Sequence, residues 1–74
     1  MRLIINDEER ELEAGLSLAA LVEQLGMRAE RIAVELNREI VARSRWTETE
    51  LQDGDRLEIV HFVGGGTPSK SEVS

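Results

Sequence analysis

The stretch Asp53-Gly54-Asp55-Arg56-Leu57-Glu58-Ile59-Val60-His61-Phe62-Val63-Gly64-Gly65-Gly66 decides how this sequence is read. It opens on Asp-Gly, a strong turn signal because glycine adopts backbone angles that other residues resist. From Arg56 the residues alternate: Leu57 and Ile59 take one face, Arg56 and Glu58 the other, which is the period of a half-buried strand. At Val63 the pattern stops and three glycines follow. A strand that runs out into chain without side chains offers its end, rather than its face, to whatever it meets.

Working back from this strand, Ile32-Ala33-Val34-Glu35-Leu36 reads as a second one, with Ile32, Val34 and Leu36 on one face. Asn37-Arg38-Glu39 suits a tight turn, and Ile40-Val41 begins another short strand. Trp46 falls in an irregular stretch, and Thr47 to Leu51 has room for one helical turn. Further upstream, Leu18, Leu21, Val22 and Leu25 stand at the spacing of one helical face. Ser17 is placed to cap that helix and Gly26 to end it. The first residues, Arg2 to Asn6, form a strand with Leu3 and Ile5 on one face. After the turn formers Asn6 to Glu9, Arg10 to Glu13 completes a hairpin, with Leu12 pointing inward. Hairpin, helix, short strands and a final strand, in that order, predict an α+β domain over residues 1–63. One main helix packs across one face of a mixed sheet of four or five strands. Residues 64–74, the glycine run and the polar extension TPSKSEVS, cannot bury enough surface to fold and are expected to be a flexible tail.

Composition narrows the function. The chain has 74 residues and no cysteine, so neither a disulfide frame nor a thiolate metal site holds it together. Its net charge of −6, with the arginines scattered among glutamates, argues against nucleic acid, which requires clustered cations. No apolar run approaches the about 20 residues needed to span a bilayer. The opening residues lack the apolar stretch of a signal peptide, so the expected location is the cytoplasm.

A side-chain active site is not apparent. The single histidine, His61, has no cysteine to activate, the carboxylates form no acid–base frame, and metal ligands do not cluster. Gly64-Gly65-Gly66 is not followed by the helix and the Lys-Ser or Lys-Thr pair of a phosphate loop. The glycine run reads either as a plain linker or as a chain end that a partner admits through a narrow channel, where any Cβ would collide. A terminal carboxylate becomes reactive on adenylation, after which a sulfur nucleophile could displace AMP and leave a thiocarboxylate. If Leu57 and Ile59 face inward, Val60 and Phe62 lean to the outer face of the sheet and form a docking patch; a bulge would instead return Phe62 to the core.

At this point the sequence resembles the sulfur carrier proteins of thiamine biosynthesis, the ThiS-like branch of the ubiquitin-like β-grasp family. The resemblance rests on Ile4-Ile5-Asn6, the helix entry from Gly15 to Leu25, Val34 to Val41, Arg45-Trp46, Leu51 to Asp55 and Glu58 to Gly66. It implies a β-grasp fold and a carrier that is not itself an enzyme. Gly66 would be the adenylated, sulfur-carrying terminus, Gly65 would complete the diglycine, and Gly64 would lead into it. The implied partners are an adenylating enzyme of the ubiquitin-activating type, which uses ATP and magnesium, and a thiazole synthase. In such carriers the chain ends at the glycines, whereas Thr67 to Ser74 follow here, so Gly66 carries an amide. A processing protease would have to release it; a cloning remnant or an inactive copy are the other readings of the extension. A molybdopterin-type sulfur carrier, a ubiquitin-like protein modifier and a ligand-binding module on the same scaffold are the rival functions.

Overall fold

The computed structural model describes residues 1–63 and 67–68. Two strands, β1 (Arg2–Ile5) and β2 (Glu8–Glu11), form an antiparallel hairpin, with Ile5 opposite Glu8. The two intervening residues, Asn6 and Asp7, have φ of 50° and 67°, the left-handed geometry that matches strand twist in the tightest hairpins. Helix α1 (Leu18–Gln24) follows. Its N-cap is Ser17, whose hydroxyl accepts from the Ala20 amide at 3.1 Å, and Gly26, at φ 74°, follows its C-terminus. A short 3-10 turn, Ala29–Arg31, leads into β3 (Ile32–Leu36). A second two-residue turn, Asn37-Arg38 at φ 52° and 74°, joins β3 to β4 (Glu39–Ile40). A 3-10 segment, Arg43–Glu48, precedes β5 (Arg56–Val63).

The sheet has the order β2-β1-β5-β3-β4, with β1 parallel to β5 and the other pairs on this path antiparallel. This is the expected mixed sheet, and the final strand occupies its centre. One continuous cluster joins the sheet's inner residues (Leu3, Ile5, Ile32, Val34, Leu57, Ile59) to Leu18, Leu21 and Val22 of α1. Each such side chain stabilises the fold by about 1.5–3 kcal/mol when fully buried. Leu25 and Leu36, expected in the same layer, are half-buried at its edge.

Local boundaries differ from expectation where tertiary contacts override sequence pattern. The second hairpin strand runs over Glu8–Glu11, all exposed, because the tight turn at Asn6-Asp7 starts the return two residues early. Leu12 lies beyond it, half-buried, its amide donating to the Met1 carbonyl at 2.8 Å. The strand expected to begin at Ile40 includes Glu39, since the Asn37-Arg38 turn is complete in two residues. The helical turn expected after Trp46 includes it: Trp46 is 3% exposed, and its Nε1–H donates to the Val41 carbonyl at 2.9 Å.

The tail expected over 64–74 is described only at β6 (Thr67–Pro68), which pairs antiparallel with β5, Val63 opposite Thr67 and Phe62 opposite Pro68. The rest of that tail, including the three glycines, lies outside the described residues. Among the described residues no helix is long and apolar enough to cross a membrane.

Candidate functional site

The central strand delivers the glycine run, and its neighbours fix where it emerges. β1 pairs with β5 at Arg56 and Leu57. Where β1 ends, the Asn6 side chain continues the ladder: its Oδ1 accepts from the Ile59 amide at 2.7 Å and its Nδ2 donates to the Ile59 carbonyl at 3.2 Å. On the other side β3 pairs with β5 from Leu57 to His61. Strand β5 therefore outruns both, and Phe62 and Val63 carry the chain past the end of the main ladder.

Register fixes the faces, because residues paired across strands point the same way. Leu57 and Ile59 are 0% and 4% exposed and face the helix. The outer face of β5 then carries Arg56, Glu58, Val60 and Phe62. Arg56 is level with Ile4, Glu58 with Glu35 and Val60 with Ala33. The strip changes character along its length. Its early end is charged: Arg56 Nη1 lies 3.1 Å from Asp7 Oδ1, and Glu35, Arg38 and Glu58 line the same shallow hollow. Its late end is apolar, with half-buried Val60, Phe62 and Ala33 leading to the glycines.

The register is unbroken from Leu57 to His61, which puts Val60 on the outer face, and β5 continues without interruption through Phe62, where alternation assigns the same face. Gly64, Gly65 and Gly66, assigned from sequence as the working terminus, lie outside the described residues. The pattern reading missed two contributors to this face. Ala33 was read only as a strand residue, although its place between Ile32 and Val34 already put it outward. Ile40 of β4 is level with Glu35 on the same face and is 76% exposed. His61 is exposed on β5, level with Ile32. Among the described residues, no group of three or more His, Cys, Asp or Glu is arranged to hold a metal.

A central strand feeding a glycine end, beside a half-exposed apolar patch, can present a chain terminus to a partner. Comparison with known proteins points the same way. The model of a family described as ThiS matches residues 2–66, and so ends on the last glycine of the run. The sulfur carrier protein ThiS of Escherichia coli is 33% identical over 66 residues, covering 89% of this chain and 100% of that protein. A thiazole synthase of Paramagnetospirillum magneticum is 46% identical over 67 residues, covering 90% of this chain but 21% of that protein. The chain spans about a fifth of the length of this synthase and of a second, from Magnetococcus marinus, at 21% and 20%. Among solved structures, the thiamine biosynthesis protein (ThiS) of Geobacter metallireducens superposes with a TM-score of 0.79 at 33% identity. It covers 89% of this chain and 100% of that one, so the solved chain of that relative has no part outside the match.

Proposed function

This chain belongs to the ThiS family, and we propose that it is a sulfur carrier for thiamine biosynthesis whose cargo rides on the carboxylate of Gly66. The observation that carries this reading is the family match running through the glycines and stopping at Gly66. The full-length carrier of Escherichia coli supports it, since it aligns over its whole length.

The chemistry follows from the terminus. A Gly66 carboxylate attacks the α-phosphorus of ATP on an adenylating partner, with magnesium, and pyrophosphate leaves. A sulfur nucleophile at the oxidation level of sulfide then attacks the acyl carbon, a C–S bond forms as the C–O bond to AMP breaks, and a thiocarboxylate remains. The chain contributes no catalytic side chain to these steps; it supplies a steric profile narrow enough to enter a confined site. Val60 and Phe62, beside the exit of the tail, dock the adenylating partner.

The acceptor of the sulfur is a thiazole synthase. Thiazole synthases that contain a segment similar to this chain support that partnership, because a carrier joined to its acceptor meets it at high effective concentration. In the 74-residue chain the Gly66–Thr67 bond must first be hydrolysed: water adds to the Gly66 carbonyl, and the Thr67 amine leaves with residues 67–74.

The test is ATP–pyrophosphate exchange with a purified adenylating enzyme of this family. Residues 1–66 should support exchange and the 74-residue chain should not. Exchange by the uncut chain contradicts the need for processing, and none with either form contradicts the carrier reading. Phe62→Ala in residues 1–66 should weaken exchange at least about tenfold, while costing less stability than the about 3–5 kcal/mol of a buried phenylalanine. A loss of stability in that range would return Phe62 to a structural role.

A further inference from the structure

All eight cationic side chains of residues 1–66 are arginine: Arg2, Arg10, Arg28, Arg31, Arg38, Arg43, Arg45 and Arg56. The single lysine, Lys70, lies beyond Gly66, in the part that processing would remove. Together with the absence of cysteine, this leaves the glycine-ended form without a side-chain amine or thiol. The pattern has a chemical meaning only if the terminus becomes an acylating agent, and to that extent the inference rests on the carrier reading.

Arginine and lysine carry the same charge but differ as nucleophiles. A guanidinium stays protonated beyond about pH 12 and its electron pairs are delocalised. A lysine amine titrates near about pH 10.4, so a small neutral fraction is present at physiological pH and attacks activated acyl groups. Tethering makes the danger local, because it raises the effective concentration of any amine within reach to the millimolar range.

The structure shows where such an amine would sit. Arg31 immediately precedes Ile32, which is paired with His61, so it stands at the end of the sheet from which the tail leaves. Arg28 is its neighbour across this turn, with its carbonyl accepting the Arg31 amide at 2.9 Å. Arg43 belongs to the same end, its Nη1 donating to the Ala29 carbonyl at 3.2 Å. Three residues of chain beyond Val63 span at most about 10 Å, and Arg31, one strand over at the level of Phe62, falls within that span of the end of β5.

One amine remains, the α-amino group of Met1, and the fold keeps it away. It donates to the Leu12 carbonyl and lies 3.5 Å from the Glu11 carboxylate. It is also at the wrong end. Ile4 is level with Arg56 in the parallel pair, so Met1 lies three residues behind that level and Val63 seven ahead of it. At about 3.3 Å per residue, the separation along the strand is about 30 Å, three times the reach of the glycines.

We propose that the arginine-only surface of residues 1–66 protects the activated terminus from self-acylation. The acyl group then survives until an external sulfur nucleophile takes it. In the reaction avoided, a neutral amine attacks the Gly66 acyl carbon and the leaving group, AMP or a thiol, departs. The nitrogen loses its proton to solvent and a dead lactam remains.

The test uses residues 1–66 prepared chemically as a C-terminal alkyl thioester, so it needs no adenylating enzyme and its outcome is independent of the exchange assay above. Wild type, Arg31→Lys and Arg10→Lys, the last on β2 at the far edge of the sheet, are incubated at mildly alkaline pH and followed by intact mass. Circular dichroism verifies that each is folded. Wild type and Arg10→Lys should end as the hydrolysed acid. Arg31→Lys should lose thioester about tenfold faster and accumulate a product lighter than the acid by one water and resistant to hydroxylamine. An Arg31→Lys thioester that only hydrolyses, at the wild-type rate, overturns the proposal. So does a wild type that acylates itself through Met1.

Discussion

Asn6 performs two tasks that would ordinarily fall to different residues. Its backbone, at φ 50°, makes half of a tight hairpin turn, and its side chain replaces the missing strand residue beside Ile59. Asparagine suits both, since it tolerates the left-handed region and carries a donor and an acceptor in the geometry of a peptide unit. Asn6→Gly separates them, because glycine accepts the backbone angle but leaves the Ile59 amide and carbonyl unpaired. Urea denaturation should show a loss of about 1–3 kcal/mol, the cost of orphaned polar groups that are partly buried. A loss below about 0.5 kcal/mol would mean that water replaces the side chain freely, and that the direction of β5 does not depend on Asn6.

At the scale of elements, the pieces with strong periodicity were legible in the sequence. Strands Ile32–Leu36 and Arg56–Val63 fall where alternation placed them, and α1 lies between Ser17 and Gly26 as its face and caps required. The outward direction of Val60 followed from the same alternation. What pattern could not show was the segment from Val41 to Leu51. Its buried residues, Trp46 and Leu51, stand at neither period, and only tertiary contacts bury them, to 3% and 2% exposure. Leu16 belongs to the same hidden layer: its carbonyl accepts the Leu51 amide at 2.9 Å, tying the loop before α1 to the loop before β5. Trp46 holds this layer through packing and through its bond to Val41. Trp46→Phe should therefore cost about 1–2 kcal/mol in chemical denaturation, from lost volume and an unpaired carbonyl. An unchanged midpoint would show that the 3-10 segment is held by its backbone alone. The terminus itself was legible for a different reason: a glycine run after a final strand is a statement about backbone, which sequence prints directly.

For the whole molecule, the architecture places its parts at opposite ends. Met1, the Asp53-Gly54 turn and the charged hollow around Arg56 occupy one end, joined by the Gly54 amide donating to the Arg2 carbonyl at 2.7 Å. Val60, Phe62 and the outgoing chain occupy the other. Under the proposed function, the acyl end would leave the domain beside Val60 and Phe62 and away from Met1. The folded domain, the family and the position of the glycines all agree, and the eight residues after Gly66 are what the carrier account must explain. Intact mass spectrometry of the protein isolated from its own cells, without reducing agent, addresses this directly. A species ending at Gly66, part of it with one oxygen exchanged for sulfur, is expected; a single unmodified species still ending at Ser74 would contradict sulfur carriage by this chain.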